Sequence, residues 1–260
     1  MKIATWNVNS IKARHDNAKR YLEEFAPDVI CMQEIKCIDE NFPAETFEDL
    51  GYNVAVHGQK TYNGVALLSK RPMEDIVIGL PGDEDDEQAR FIEATITTDG
   101  APIRVASLYL PNGNPVDTPK YPYKLGWMKR LIAHAEKLLA TEEPFILAGD
   151  YNVIPTADDV WDPENWWGDA LFRQETHDLF RQLVNLGLTD GFRACHGQSH
   201  RYSYWDYQRG AWQKDHGIRI DHLMMSPQAA DRLKASDIDR VPRGWERPSD
   251  HTPVWVEIDS

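Results

Sequence analysis

Short apolar runs, many of them alternating or rich in β-branched residues, recur along the whole chain. Residues 103–109, for example, read IRVASLY and mix apolar with polar positions. Such runs, bounded by turn-forming residues, are typical of half-buried β-strands. The pattern therefore predicts strands at 2–8, 28–33, 52–57, 64–69, 91–97, 103–110, 144–149, 218–225 and 253–258.

Helical spacing occurs between several of these runs. In 120–140, apolar side chains recur at steps of three and four residues, which places them on one face of a helix. A similar pattern covers 176–187, where Gly187 suits a helix end. We expect shorter helices at 11–25 and 227–234.

The order of these elements indicates the fold class. Strands outnumber helices and often follow one another directly, as from 52 to 110, so a strict alternation of strand and helix is absent. This arrangement predicts an α/β fold, a four-layered α/β sandwich in which two mixed β-sheets pack face to face with helices outside. No low-complexity linker divides the 260 residues, so we expect one domain, 1–260.

Composition is that of a globular protein, with 42% hydrophobic and 27% charged residues. No apolar run approaches the roughly 20 residues that a membrane helix needs. The first ten residues, MKIATWNVNS, lack the apolar stretch of a secretory signal. Three cysteines without CxxC spacing favour neither a disulfide framework nor a zinc site. We therefore expect a cytoplasmic protein without membrane contact, and a monomer.

The formal net charge of −14 bears on possible partners. It argues against a protein that holds nucleic acid by charge alone, because phosphate is normally neutralised by a basic surface. It is compatible with a nuclease whose active-site carboxylates are offset by bound cations. The acidic run at 83–87 is interpreted as a solvated loop.

Polar side chains lie at the ends or starts of six predicted strands. Each has an ordinary explanation as a turn former or a buried polar residue, but the ends of strands are where a fold gathers distant residues into one cleft. The residues are Asn7, Glu34, Tyr109 with Asn112, Asp150 with Asn152, Asp221, and Asp250 with His251.

These residue types suit one kind of chemistry. The carboxylates and Asn7 are hard oxygen ligands without a thiolate, which favours Mg²⁺ or Mn²⁺ over zinc. Tyr109 and the amides of Asn112 and Asn152 are neutral donors for phosphate oxygens. Asp221 and His251 could form a carboxylate–imidazole pair. The combination indicates metal-dependent hydrolysis of a phosphate ester.

The motifs TWNVNS, CMQEIK, SLYLPNG, LAGDYNV, GIRIDH and RPSDHTPVW occur in this order from one end of the chain to the other. In them the chain resembles the exonuclease III and AP endonuclease branch of the endonuclease/exonuclease/phosphatase superfamily. The resemblance implies hydrolysis of phosphodiesters in double-stranded DNA with Mg²⁺ or Mn²⁺. It further implies 3′-to-5′ exonuclease activity, cleaning of 3′ ends and cleavage 5′ to abasic sites.

The resemblance also implies roles for residues. The metal ligands would be Asn7, Glu34, Asp150, Asn152 and Asp250, and the catalytic residues Tyr109, Asp150, Asn152, Asp221 and His251. Three points stay open: whether Asp150 or His251 is the general base, whether Tyr109 acts as donor or phenolate, and whether Asp221, which we favour, or Asp250 pairs with His251.

An aromatic stretch at 202–212, YSYWDYQRGAW, is either core or a surface that meets DNA. We favour DNA contact by Tyr204, Trp205 and Arg209, together with Asn112. By resemblance, Tyr204, Ile218 and Ile220 line the pocket for a flipped abasic sugar, although Tyr204 stands where Trp or Phe is usual. The rivals are a phosphatase or lipid phosphodiesterase of the same superfamily and a non-catalytic binding module with this fold. No function is assigned to the segment WWGD at 166–169.

Overall fold

A computed structural model describes residues 1–259 of the protein. In this part of the chain, twelve strands form two six-stranded sheets. The first sheet has the spatial order β11 (Leu233–Ile238), β12 (Val254–Ile258), β1 (Lys2–Asn7), β2 (Val29–Gln33), β4 (Val65–Ser69) and β3 (Asn53–His57). The second has the order β5 (Met73–Ile78), β6 (Phe91–Ile96), β7 (Ile103–Tyr109), β8 (Phe145–Asp150), β10 (Asp221–Met225) and β9 (Thr189–Asp190).

Both sheets are mixed. The pair β1–β2 in the first sheet and the pair β7–β8 in the second are parallel, and the remaining neighbours are antiparallel. The helices are α1 (His15–Glu24), α2 (Ala44–Glu48), α3 (Lys120–Leu139), α4 (Pro163–Trp166), α5 (Gln174–Asn185), α6 (Gly191–Cys195), α7 (Ala211–Lys214) and α8 (Pro227–Ala230).

Alternation along the strands builds the layers. One face of each sheet joins a shared core between the sheets, which contains Ile3 and Val29 from the first sheet and Ile146 from the second. The next residue along each strand points outward, since successive strand side chains face opposite sides. Trp6 thus packs with α1, and Leu147 packs with α3 and α5. The result is the predicted four-layered α/β sandwich.

The register of the second sheet sets up the functional site. In the parallel pair β7–β8, Tyr109 lies opposite Asp150, and in the antiparallel pair β8–β10, Asp150 lies opposite Asp221. In the first sheet, Asn7 and Gln33 are partners at the ends of β1 and β2, and Glu34 follows directly. The functional residues therefore lie at the ends of β1 and β2 in the first sheet and at the ends of β7 and β8 and the start of β10 in the second.

Most predicted elements are present within one to three residues of their expected bounds, and the differences have physical causes. Edge strand β5 escaped prediction because its sequence, MEDIVI, is largely exposed and its register with β6 is irregular. The helix expected at 227–234 ends at Ala230, and Leu233 already begins β11, which pairs with β12 through its backbone. The strand expected from 218 begins at Asp221, since Ile218 forms only isolated bridges to Val160 and Tyr204.

Across residues 1–259, none of the helices has the length and apolar character that crossing a membrane requires.

Candidate active site

Asn7 connects two carboxylates that belong to different sheets. Its Nδ2 lies 2.8 Å from Oε1 of Glu34 and 2.9 Å from Oδ2 of Asp150. Its own Oδ1 accepts a hydrogen bond of 3.0 Å from the backbone N–H of Asn9. Asn7 therefore braces the two carboxylates, and its role as a metal ligand stays a prediction.

The backbone turns sharply just after β2 and just after β8. Glu34 follows β2 with φ +50° and Asn152 follows β8 with φ +47°. Asn tolerates this left-handed region, but Glu adopts it rarely and at a cost of about 1–3 kcal/mol. The turn at Glu34 directs the carboxylate toward Asp150, where Lys36 contacts it at 2.8 Å.

His251 lies between two carboxylates. Its Nδ1 is 2.9 Å from Oδ2 of Asp221, and its Nε2 is 3.7 Å from Oδ2 of Asp150. Ser203 donates a hydrogen bond of 2.5 Å to the same oxygen of Asp221. Of the two partners left open by the sequence, Asp221 is the one in contact with the imidazole, and Asp250 instead accepts from Asn9 Nδ2 at 3.1 Å.

Burial and neighbouring charges shift the pKa values of these groups. Burial alone would lower the pKa of His251, but Asp221 and Asp150 outweigh it and raise that pKa to about 10. Burial raises the pKa of Asp150 to about 7, with a further increase from Asp221 and an opposing effect of His251. The two carboxylates therefore favour the protonated ring of His251.

The pKa values of Glu34 and Tyr109 shift in opposite directions. Burial works to raise the pKa of Glu34, yet Lys36 and the hydrogen bond from Asn7 bring it below its usual range. The pKa of Tyr109 is raised by burial and by the charges of Glu34 and Asp150. Both influences favour the neutral phenol of Tyr109, which suits a hydrogen-bond donor.

A cleft of about 260 Å³ opens above these residues. Ten of the predicted site residues line it: Glu34, Tyr109, Asn112, Asp150, Asn152, Tyr204, Ile218, Ile220, Asp250 and His251. Asn7 and Asp221 lie beneath it, fully buried, and contact its floor through Asp150 and His251. Motifs from Asn7 to His251 thus converge on the cleft and its floor.

The donor set fits a divalent cation. Glu34, Asp150 and His251 each offer a ligand atom, and these atoms lie within 4.8 Å of one another. Because a protonated imidazole has no free lone pair for a metal, the two carboxylates are the better ligands. Carboxylate oxygens suit Mg²⁺ and Mn²⁺. Asp250 and Asn152, also predicted to be ligands, line the same cleft, where Asp250 accepts a hydrogen bond from Asn9 and Asn152 donates one to Leu110.

Two carboxamides, those of Asn112 and Asn152, also line the cleft. Asn112 Nδ2 donates to Oδ1 of Asn152 at 3.0 Å, and Asn152 Nδ2 donates to the carbonyl of Leu110 at 2.9 Å. Lys124, fully buried in α3, donates to the backbone carbonyls of both Asn112 and Asn152. The buried ammonium ties together the loops that follow β7 and β8.

Of the residues expected to contact DNA, Trp205 and Arg209 lie outside the site cleft. Trp205 is fully buried in a small cluster with Tyr202 and Ala211, and its Nε1 donates to Asp215 at 2.9 Å. The expectation that its ring meets DNA therefore does not hold. Arg209 is exposed at an adjoining cavity, outside the site cleft.

Sequence reasoning missed several residues of the site. Lys124 and Ser203 gave no signal, because their importance depends on partners that are distant in sequence. Trp166 and Asp169 also line the cleft. They belong to the unassigned WWGD segment, whose density of aromatic residues was the one available hint.

Comparison with known proteins identifies the family. A sequence model of the endonuclease/exonuclease/phosphatase family matches residues 4–251. The chain belongs to this family.

Members with solved structures and curated relatives are similar along the whole chain. A 3′ phosphatase from Neisseria, solved with its product DNA hairpin, is 37% identical with a TM-score of 0.94 over 100% of both chains. An AP endonuclease from Archaeoglobus fulgidus is 35% identical with a TM-score of 0.93, again over 100% of both. Exodeoxyribonuclease III of Haemophilus influenzae is 35% identical over 266 residues, 99% of this chain and 100% of that protein.

These similarities confirm the family resemblance and the predicted sandwich fold. They also establish that the chain is a phosphodiesterase of the exonuclease III and AP endonuclease kind, in a family that depends on divalent metals.

Proposed function

We propose that this protein is a DNA-repair nuclease that hydrolyses phosphodiesters of double-stranded DNA with Mg²⁺ or Mn²⁺. It removes nucleotides from 3′ ends, clears blocked 3′ termini and cuts 5′ to abasic sites. The observation that carries the proposal is the position of Asp150, which lies in register between Tyr109 and Asp221 and shares one cleft with Glu34 and His251.

The acidic residues and the histidine have separate tasks in this proposal. Glu34 and Asp150 would hold the cation, which would supply stabilisation of the negative charge on the phosphate and on the leaving 3′-oxygen. Asp150 also orients the attacking water and takes its proton. The pKa of His251, which Asp221 and Asp150 raise, favours a hydrogen-bond donor over a general base at this position. His251, oriented by Asp221, donates to a phosphate oxygen.

The neutral donors complete the phosphate site. Tyr109 donates its hydroxyl proton in a hydrogen bond, in keeping with its raised pKa. Asn112 and Asn152 contact phosphate oxygens from the opposite side, held by Lys124. Donors fixed in a largely buried site stabilise charge without reorganising during the reaction.

The apolar wall of the cleft explains how the protein recognises an abasic site. Tyr204, Ile218 and Ile220 lie beside the phosphate-binding residues. A sugar without a base can be turned out of the helix at low cost and fits against such a wall. The proposed partner is double-stranded DNA, and the affinity for it falls as salt rises. We further propose that the protein is a cytoplasmic monomer of one domain.

A duplex with one internal abasic analogue tests the function. We expect the purified protein to cut it 5′ to the analogue with Mg²⁺ and not with a chelator. Glu34→Gln and Asp150→Asn should abolish cutting, whereas Glu136→Gln, an exposed glutamate of α3, serves as the matched control. Absence of any metal-dependent cut would contradict the proposal.

The same purified protein, tested on the duplex and on a phosphoinositide, distinguishes the proposed function from its two rivals. A lipid phosphodiesterase or phosphatase would release product from a phosphoinositide and leave the duplex intact. A non-catalytic module would act on neither substrate while still binding one of them.

A further inference from the structure

A second cavity lies next to the site cleft and has no role in the function proposed above. Its volume is about 690 Å³. The lining combines aromatic rings with cations: Trp161, Trp166, Tyr204, Arg209, Lys214 and His216. We call it the aromatic compartment.

The aromatic compartment and the site cleft share a wall. Trp166, Tyr204 and Ile218 line both. The site cleft, at about 260 Å³, is smaller than the roughly 300–1,000 Å³ typical of small-molecule sites, whereas the compartment lies inside that range. A base-free sugar phosphate suits the cleft, and a nucleotide that carries its base needs the additional space.

The rings of the compartment are held firmly. Trp161 stacks on His216 with centroids 3.8 Å apart and planes at 2°. The backbone N–H of Trp161 donates to the carbonyl of Gly217, so the stacked pair is anchored to both segments that carry it. Flat rings fixed in advance bind a nucleobase by stacking whatever its sequence identity.

The charges of the compartment suit a nucleotide. Arg209 and Lys214 are exposed, and neither forms an ion pair with any other residue between positions 1 and 259. Asp215, in the same loop, is already paired with Arg240 at 2.8 Å. Asp206 accepts the backbone N–H of Gln208 and is the single acid of the lining. Free cations beside aromatic rings suit a nucleobase, because its carbonyl oxygens and ring nitrogens accept hydrogen bonds from Lys and Arg.

We infer that the aromatic compartment binds the base of the 3′-terminal nucleotide during exonucleolytic removal. The inference rests on the proposed function. Incision at an abasic site does not use the compartment, because the flipped residue has no base. The compartment therefore determines how well the protein resects intact 3′ ends relative to its action on base-free residues.

The test compares two duplexes that differ in one residue. One has a recessed 3′ end with an ordinary terminal nucleotide, and the other ends in a base-free analogue. Single-turnover removal of that residue is measured for the wild type, Trp161→Leu and Lys214→Gln. Lys137→Gln, an exposed lysine at the far end of α3, is the matched control, and Lys214→Arg should restore the charge.

We expect Trp161→Leu to slow removal of the intact nucleotide about tenfold and to leave removal of the base-free residue unchanged. Lys214 is exposed, so Lys214→Gln does not endanger folding. It should lower the rate for the intact nucleotide relative to the rate for the base-free residue, and Lys214→Arg should restore this ratio. An unchanged ratio in both variants, with normal wild-type cutting, overturns this inference alone. A wild type that cuts neither duplex overturns the proposed function as well.

Discussion

Nδ1 of His251 lies 2.9 Å from Oδ2 of Asp221, and both side chains are buried. The hydroxyl of Ser203 donates to the same carboxylate oxygen, and the backbone N–H groups of Ile220 and Asp221 in turn donate to that hydroxyl. This chain of hydrogen bonds fixes the carboxylate, and the carboxylate fixes the protonation and orientation of the imidazole. Asp221 is thus a positioning residue that acts through His251.

Replacement of Asp221 by Asn keeps the shape of the side chain and removes its charge. The imidazolium would lose its main stabilising partner, so we expect kcat for abasic incision to fall about 10²–10³-fold, the range for losing one donor to transition-state charge, with KM little changed. Steady-state kinetics check this, with the exposed Asp178→Asn as control. Full activity of Asp221→Asn would remove Asp221 from the site.

The metal-free protein should lose stability as pH rises above neutrality. The pKa of His251 is raised from 6.5 to about 10 because Asp221 and Asp150 outweigh the opposing effect of burial. A raised folded-state pKa contributes stability that is complete below 6.5 and disappears as pH approaches about 10. Melting temperatures in chelator should therefore decline across this window, and His251→Gln should flatten the decline. An equal decline in His251→Gln would contradict the assignment.

Lys124 supports the site from below. Burial lowers the pKa of its ammonium to about 7, and the group donates to the carbonyls of Asn112 and Asn152. Lys124→Met would leave two carbonyls without a donor, at a cost of about 1–3 kcal/mol each if they stay buried. We expect a lower denaturation midpoint and slower cutting even where the variant is fully folded. Lys137→Met is the control, and normal cutting by folded Lys124→Met would limit Lys124 to a stabilising role.

The sequence predicted the polar ends of the strands well, because alternation and strand order determine which residues reach one edge of a sheet. Asp150 and Tyr109 are examples, since their register follows from pairing of two apolar runs. Lys124 could not be predicted, because it looks like any lysine of an amphipathic helix until the loops above it are placed. Trp205 was misjudged although a signal existed: adjacent residues in extended chain point to opposite sides, so Tyr204 and Trp205 could not both face the cleft.

Trp205 should matter for stability and not for DNA contact. Its ring is fully buried, with Arg240 5.0 Å from the ring centroid and a hydrogen bond to Asp215. Trp205→Ala should lower the free energy of unfolding by about 3–5 kcal/mol, as for other buried large-to-small substitutions. Urea denaturation measures this loss. Weakened DNA binding by a variant of unchanged stability would restore the interpretation that the structure argues against.

Metal binding should distinguish true ligands from residues that merely lie nearby. A cation that binds only the folded state adds about 2.7 kcal/mol of stability at 100 times its Kd, so Mg²⁺ or Mn²⁺ should raise the melting temperature. Glu34→Gln should abolish this rise, because Glu34 and Asp150 are the carboxylates that converge.

Asp250→Asn provides the matched comparison in the same titration. The carboxylate of Asp250 is engaged by Asn9 at 3.1 Å and is not part of the converging group. The variant should therefore retain most of the cation-induced rise. If Asp250→Asn removed the rise as completely as Glu34→Gln, Asp250 would be a ligand after all, and its contact with Asn9 would have to break when the cation binds.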